Sequence, residues 1–503
     1  MKESYELAEP KPEALIESLR AVGYTLETAI ADVIDNSISA SAKNIWINFY
    51  WNGPNSHISI LDDGSGMDEK GLSNAMRPGS QSPLEARSEK DLGRFGLGLK
   101  TASFSQARCL SVLSKKQGMP IYARKWDLDY VIKSKQWRLL KSVGKSENSY
   151  SSLLKDLKSG TLVFWQNLDR LTNGTIATDE KARDRFNQQI EDVREHLGMI
   201  FHRYISGPNQ RLTIWVNGRN AQNKIEPWDP FSTSHDATLL MPTDQIDFGD
   251  QIVAIKGYVL PHKDRFKTKE ECERAAGPNG WNTQQGFYIY RNDRMLVSGE
   301  WLKLGRPRPW AKQEHYRLAR LSIDIPNNID TEWSLDVKKS TAKPPPEIKQ
   351  KLFKLASDTR EKAKQVFVHR GEYGPRGTYK QEELIRPWES SARSGHTIYK
   401  IDRKHILIKK MLSNAGKTRP ELEATLRFLE ETVPVQKIWL NTSEENADYA
   451  KPYEDLDYEI VFADLRRVWE ILLTTGIGRN EAKLKIRTME PFNHYPELIE
   501  QLN

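Results

Sequence analysis

The sequence predicts an α+β protein that begins with a two-layer α/β sandwich over residues 1–200. Helical and strand patterns alternate through this region, as expected for helices packed on one sheet. An acidic helix and two glycine-rich segments lie within its first hundred residues. At 503 residues the chain is too long for a single core, so we expect further domains after the sandwich.

The composition is that of a globular protein and excludes several classes. No apolar run approaches the ~18 residues that a membrane span needs, and the N-terminus lacks the apolar core of a signal peptide. The only cysteines are Cys109 and Cys272, which excludes a disulfide framework and a four-cysteine zinc site. We therefore expect a cytoplasmic protein with no membrane partner. The net charge of +7 is too small to establish nucleic-acid binding.

A helix from Tyr24 to Ala40 carries the first candidate chemistry. Its apolar residues recur at three- and four-residue spacing, which predicts a buried stripe. A carboxylate and a carboxamide one turn apart can orient a water and ligate a hard cation such as Mg²⁺. A solvated helix face is the alternative for such a stripe considered alone. The polar residues that share one face are Asp32, Asp35, Asn36 and Ser39.

Two predicted strands follow, Asn44 to Tyr50 and His57 to Leu61. The second strand leads directly into Asp62, which is followed by Gly64 and Gly66. A carboxylate at a strand end can accept a hydrogen bond from an exocyclic amine, while glycines let a flat ring approach the backbone. An ordinary Asp-Gly turn is the alternative for this segment.

A second glycine-rich segment comes after residues 67–92, which are polar and predict a long mobile loop. Gly93, Gly96 and Gly98 precede a predicted helix, and Lys100 adds a cation. Free backbone N–H groups and the dipole at a helix N-terminus favour phosphate oxygens. The spacing matches neither a Walker A loop nor the dinucleotide fingerprint.

A second α/β region follows the sandwich, with a turn-rich basic insertion at residues 261–284. Its strong strand patterns are Leu212 to Val216, Gln251 to Leu260, Gly286 to Arg291 and Leu321 to Ile325. A helix is predicted from Pro346 to about Val368, and a linker over residues 370–397. We therefore divide the chain into 1–200, 201–345, 346–397 and a mainly helical region, 398–503.

The order of an acid–Asn helix, D-x-G-x-G, G-x-x-G-x-G and a later Gly160-Thr161 strand resembles the GHKL ATPases. This group includes gyrase-type topoisomerases, MutL proteins, ninety-kilodalton heat-shock chaperones, histidine kinases and MORC proteins. The resemblance implies ATP and Mg²⁺ as cofactors, with Asp32 as the general base and Asn36 as the metal ligand. Asp62 would contact the adenine amino group, supported by Thr161. The implied remaining contacts come from Gly64, Gly66, Met67, Gly93, Gly96, Leu97, Gly98 and Lys100, under a lid formed by residues 67–92.

The helix departs from the family pattern E-x-x-D-N-x-x-D-A at two positions. Asp32 stands in place of the glutamate base, and Ser39 in place of the later aspartate. Misplacing a catalytic group by roughly 1 Å can cost on the order of 10²-fold in rate. We therefore expect ATP binding with slow turnover.

The second region distinguishes among the branches of the group. About 25 residues precede the Asp32 helix and hold no histidine, which argues against a histidine kinase. The segments 286–294, 323–326 and 333–340 resemble the S5-like transducer domain of MutL, topoisomerase and MORC proteins, in which a lysine senses the γ-phosphate. Lys338 and Lys339 are the candidates, and Lys343 stays open.

The Tyr-Arg-Asn-x-Arg segment and the helical C-terminal part most resemble prokaryotic MORC- and MutL-like proteins. That resemblance implies an ATP-dependent homodimer that clamps double-stranded DNA in genome defence or repair, with operon-encoded partners such as a nuclease. Residues 262–269 and 306–312 place cations beside aromatic side chains, which suits DNA contact, although solubilising loops are the alternative. Two other functions stay open: a chaperone-like or scaffold ATPase that closes on a protein partner, and a nucleotide sensor.

Overall fold

The computed structural model divides the chain into two compact units, Met1–Pro375 and Arg376–Asn503. Both combine helices with strands, so the predicted α+β class is confirmed. The structure describes residues 10–79, 98–207, 210–248, 251–326, 333, 342–368, 387–393, 396–435, 437–438, 453, 456–489 and 491–502.

The first unit begins with a six-stranded sheet in the order β4-β3-β5-β2-β1-β6. Neighbouring strands are antiparallel except for the parallel pair β1 and β6. The strands are β1 (Asn44–Tyr50), β2 (His57–Asp62), β3 (Cys109–Lys115), β4 (Ile121–Asp127), β5 (Gly160–Gln166) and β6 (Thr213–Val216). The helices are α1 (Pro12–Arg20), α2 (Leu26–Ser39), α3 (Glu69–Met76), α4 (Gly98–Gln106), α5 (Leu128–Ser134), α6 (Lys145–Lys155), α7 (Asp169–Thr172), α8 (Glu180–Ile200) and α9 (His202–Ile205).

The apolar side chains of this sheet belong to two separate clusters. Ile58 and Ile60 of β2 belong to the main core, whereas Leu61 packs into a smaller cluster with Leu154 of α6. Successive side chains of a strand point to opposite faces, so α6 covers part of the face opposite the main core. Helix α4 packs against α1 and α2, and α2 packs against α8. All four helices contribute to the main core.

Helix α2 is buried on more than its apolar stripe. Thr25 caps its N-terminus, because the Thr25 backbone N–H donates to the Thr28 hydroxyl at 3.0 Å. Most apolar residues of the predicted stripe are buried, and both aspartates, Asp32 and Asp35, are buried as well. A buried carboxylate requires partners, so the two aspartates of this face are not solvated, whereas Asn36 and Ser39 are exposed.

The second sheet has the order β11-β10-β12-β9-β7, with β8 paired to β9. Its β10–β11 hairpin turns at Asn292 and Asp293, whose φ angles of 48° and 65° are left-handed. Such a two-residue turn matches the twist of the strands. The strands are β7 (Leu239–Leu240), β8 (Asp244–Phe248), β9 (Gln251–Val259), β10 (Gly286–Arg291), β11 (Arg294–Glu300) and β12 (Ala319–Ile325). The helices are α10 (Lys269–Ala276), α11 (Gly280–Thr283) and α12 (Pro346–Val368).

Two sequence predictions in the first unit are wrong. The strand that was expected to begin the second region is β6, which pairs with β1 of the first sheet. Part of the expected loop 67–92 is helix α3, which Asp68 caps by accepting the Gly71 N–H at 2.8 Å. Leu72 and Met76 bury one turn apart on this helix, a spacing that its polar neighbours obscured. Residues 80–97 lie outside the described part of the chain.

The second unit holds a two-stranded hairpin followed by helices. The hairpin, Trp388–Arg393 and His396–Ile401, occupies part of the segment predicted as a linker. The helical prediction for the rest is confirmed for the described residues, whose helices are Ile406–Asn414, Arg419–Glu431, Tyr458–Thr474, Arg479–Arg487 and Pro496–Glu500. Over the ranges that the structure describes, no helix is both long and apolar enough to cross a membrane.

Candidate nucleotide site

Asp62 ends β2 and is held by three elements of the fold. Its Oδ1 accepts hydrogen bonds from the backbone N–H groups of Gly64 at 2.9 Å and Thr161 at 3.2 Å, and its Oδ2 accepts from the Ser37 hydroxyl at 2.8 Å. The β2–β5 register pairs Asp62 with Thr161. Burial raises the pKa of Asp62 to about 6, although the three donors favour the ionised form. The carboxylate is thus buried in a fixed orientation.

The Thr161 hydroxyl belongs to the same cluster, through Ser114. The two hydroxyl oxygens are 2.9 Å apart, and the Ser114 oxygen accepts the Met67 backbone N–H at 2.9 Å. Ser114 therefore ties β3, β5 and the first glycine segment together. The sequence placed Thr161 beside Asp62, as the structure does, but it did not indicate Ser37 or Ser114.

The glycines of the first segment allow close backbone packing. Gly66 has φ of 65°, and a Cβ there would lie 1.9 Å from the carbonyl oxygen of Lys115. A Cβ on Gly64 would lie 2.9 Å from the Cβ of Ala40. Both glycines are therefore required by the packing of this loop on β3 and α2. The approach of a flat ring to this backbone stays a prediction.

Asp32 on α2 lies beside the first turn of α4. A Cβ on Gly98, the first residue of α4, would lie 3.8 Å from Asp32 Oδ2. The same oxygen accepts a hydrogen bond from the Tyr24 hydroxyl at 2.8 Å, and Asp32 is only 4% exposed. A helix N-terminus attracts anions, so a phosphate bound at α4 would lie near this carboxylate. Tyr24 stands directly before the helix cap but was not selected from the sequence.

Asn36 lies one turn beyond Asp32 and is exposed. Its amide nitrogen donates to the Asp32 carbonyl at 3.0 Å, so the carboxamide oxygen is not used in that bond. Such an oxygen is a ligand that Mg²⁺ accepts. Within the described residues, no group of three or more His, Cys, Asp or Glu side chains could hold a metal ion. A cation here would therefore take most of its ligands from a bound nucleotide and water.

Lys100 has a partner inside the protein. Its ammonium is buried and donates to the Ala75 carbonyl, in the last turn of α3, at 3.0 Å. Burial lowers the pKa of Lys100 to about 8. Phosphate contact by this side chain stays a prediction.

The structure describes only some of the other residues that were predicted to contact phosphate. Lys343 is described, and its backbone N–H donates to the Trp333 carbonyl at 2.8 Å. Whether a transducer lysine senses the γ-phosphate stays a prediction. The candidates that lie outside the described residues are Gly93, Gly96, Leu97, Lys338 and Lys339.

Comparison with known proteins points to the same region. Residues 24–161 match the model of a family described as "Histidine kinase-, DNA gyrase B-, and HSP90-like ATPase". The chain is 24% identical over 292 residues to ATPase morc-1 of Caenorhabditis elegans, covering 49% of this chain and 32% of that protein. It is 25% identical over 245 residues to human structural maintenance of chromosomes flexible hinge domain-containing protein 1, covering 41% and 12%. The chain thus spans a third or less of each relative.

The family match encloses the geometry described above. It begins at Tyr24 and ends at Thr161, so it contains the buried carboxylates of Asp32 and Asp62 and the first turn of α4. The resemblance to GHKL ATPases and to MORC proteins is thereby confirmed. Residues 24–161 are a GHKL-type ATPase domain, and the chain that carries it is MORC-like.

Proposed function

We propose that this chain binds ATP with Mg²⁺ and hydrolyses it slowly, and that ATP-gated dimerisation drives a clamp on double-stranded DNA. The observation that supports hydrolysis most strongly is the placement of the buried Asp32 carboxylate next to the N-terminus of α4. Asn36 follows one helical turn later on the same helix. A base, an anion site and a metal ligand thus lie within two neighbouring helices.

Each residue has a distinct task in this proposal. Asp62 accepts a hydrogen bond from the adenine amino group, and Thr161 and Ser37 hold its carboxylate in place. Asp32 accepts a proton from the attacking water, with Tyr24 fixing the carboxylate. Asn36 would hold Mg²⁺, which offsets the phosphate charge during transfer. The shorter reach of aspartate makes turnover slow.

Dimerisation and DNA contact are supported by the MORC-like character of the chain. ATP can drive a closed dimer only by as much as it binds that state better. Among the cations expected to meet phosphate, Arg265, Lys267, Arg306 and Arg308 are exposed. The aromatic residues beside them already pack against other rings of the protein, since Phe266 contacts His235 and Trp310 stacks on Phe353. The proposal therefore relies on phosphate contacts rather than on base stacking.

We extend the proposal to a cytoplasmic role in prokaryotic genome defence or DNA repair, beside a separately encoded partner such as a nuclease. The support is the resemblance to prokaryotic MORC- and MutL-like proteins.

Sedimentation velocity of the full chain tests the gated dimer. With Mg²⁺, we expect doubled mass with ATP or a non-hydrolysable analogue, and monomer with ADP or without nucleotide. Asp62→Asn is the matched control, because it should fail to dimerise at the same ATP concentration. Unchanged mass under every condition would refute ATP-gated dimerisation.

Duplex binding at several salt concentrations tests the clamp. Neutralised phosphates release counterions, so log affinity should fall with log salt at a slope of about −0.9 per phosphate contact. A slope near zero would instead favour the scaffold that closes on a protein partner.

A further inference from the structure

The β10–β11 turn is fastened to the junction that follows α8. The Tyr204 hydroxyl donates to the Asn292 carbonyl, and Arg203 approaches the Asp293 carboxylate at 3.5 Å. Arg211 also pairs with Asp293. Because these contacts join the second sheet to residues after the ATPase domain, the turn has a fixed position beside that domain.

Arg294 follows this turn directly and extends from the second sheet to α2. Its Nε donates to Asp35 Oδ1 at 3.3 Å. Arg294 is 3% exposed and Asp35 is 1% exposed, so the pair is shielded from solvent. The guanidinium also lies 5.7 Å from the centre of the Phe201 ring. Removing one partner from a buried ion pair leaves an uncompensated charge, so such a pair strongly restrains the two elements that it joins.

The position of Asp35 on α2 determines what this pair restrains. Asp35 stands three residues after Asp32 and directly before Asn36, so it lies beside the two residues that the proposed function assigns to the base and the metal ligand. Ser37, which donates to Asp62, follows Asp35 by two residues, or about 200° around the helix axis. It therefore lies on nearly the opposite face of α2 from Asp35. The ion pair therefore acts on the phosphate side of α2 rather than on the adenine side.

We propose that Arg294 is a positioning residue for hydrolysis, acting through Asp35 to fix the rotation of α2 and with it the distance from Asp32 to the first turn of α4. The second sheet thereby controls turnover in the first. This inference rests on the proposed ATPase activity and adds its regulation by the neighbouring sheet.

Kinetics of the full chain test the proposal. Arg294→Gln should lower kcat by about tenfold, since a ~1 Å misplacement can cost about 10²-fold, while the Kd for ATP changes by less than about twofold. Arg294→Lys keeps the charge and should recover most of the rate. Lys256→Gln is the matched control, because it removes an exposed cation from β9 of the same sheet and should leave kcat unchanged.

A double-mutant cycle separates coupling from general damage. Asp35→Asn and Arg294→Gln should each lower kcat, and the double variant should be no slower than the slower single one. Wild-type kcat in Arg294→Gln, additive losses, or an equal loss in Lys256→Gln would overturn the inference. If Arg294→Gln does not fold, Asp35→Asn decides, and wild-type kcat in that variant would overturn it.

The wild type distinguishes this inference from the proposed function. A wild type that neither binds nor hydrolyses ATP refutes both. If the wild type hydrolyses ATP and a folded Arg294→Gln variant has the same kcat, only the positioning role is refuted.

Discussion

Asp62→Asn should change which nucleobase, adenine or guanine, the site prefers. The substitution keeps the side-chain shape and removes the charge. Oδ1 of Asp62 accepts from two backbone N–H groups, those of Gly64 and Thr161. The carboxamide oxygen in D62N must therefore face these two donors, because an NH₂ group cannot accept. The NH₂ group then takes the place of Oδ2, beside Ser37 and the ligand.

The adenine amino group would then meet a donor instead of a carboxylate. A hydrogen bond to a charged group contributes about 1.5–3 kcal/mol, so its loss should weaken ATP binding by about 10- to 140-fold. The guanine ring has a keto oxygen at this position, which the new NH₂ group can bond. We therefore expect D62N to lose affinity for ATP while losing little or none for GTP.

Calorimetric titration with ATP and GTP, in Mg²⁺, measures this change in the ratio of affinities. Asp156→Asn is the control, since it removes the same charge from an exposed residue and should leave the ratio unchanged. Thermal unfolding of each variant checks that the fold is retained. A folded D62N protein with the wild-type ratio would refute the assignment of Asp62 to the adenine.

Three further predictions concern stability and the general base. Gly66→Ala should lower the free energy of unfolding by more than about 1 kcal/mol, because its Cβ would meet the Lys115 carbonyl oxygen. Gly118 is the control, since it has φ of 77° and no atom within 4 Å of an added Cβ. In denaturant titrations, Gly118→Ala should lower the free energy of unfolding by less than Gly66→Ala. Tyr24→Phe should lower kcat about tenfold at unchanged ATP affinity. Burial lowers the pKa of His202 to about 4, so its unfolded form binds more protons between pH 4 and about 6.5. Stability should therefore fall as the pH falls through this window, by up to about 3 kcal/mol for this group, and His202→Asn should flatten the slope.

Each of these predictions has a contradicting outcome. Equal costs for the two glycine variants would show that the close contact at Gly66 is relieved elsewhere. A Tyr24→Phe enzyme with wild-type kcat would remove Tyr24 from the account of the base. A His202→Asn protein with the wild-type acid slope would assign that slope to other groups.

Local patterns were sufficient to predict the elements that carry the site. The apolar spacing of α2 and the alternation of β1 and β2 depend only on neighbouring residues, and the structure has all three where they were predicted. The D-x-G-x-G motif placed Asp62 at the end of a strand, where it lies. Its glycines were singled out for the approach of a flat ring, which stays a prediction, and their packing against Lys115 and Ala40 required the folded chain.

Contacts between distant segments could not be predicted in this way. Ser37 and Ser114 are ordinary serines in the sequence, and only the meeting of α2, β3 and β5 brings them to Asp62 and Thr161. The strand β6 pairs in parallel with β1, a long-range pairing that no local alternation specifies. Arg294 was part of a noted motif, yet its partner lies 259 residues away. A single sequence thus gives the least information about which distant residues a polar side chain will contact.

Single-turnover hydrolysis by wild type and Asp32→Asn tests the central claim most directly. With excess enzyme and Mg²⁺, the wild type should release phosphate slowly from bound ATP. The Asp32→Asn variant should bind ATP with similar affinity and release phosphate at least about 10²-fold more slowly. Equal rates of phosphate release in the two proteins would contradict the assignment of Asp32 as the base and the ATPase site built around it.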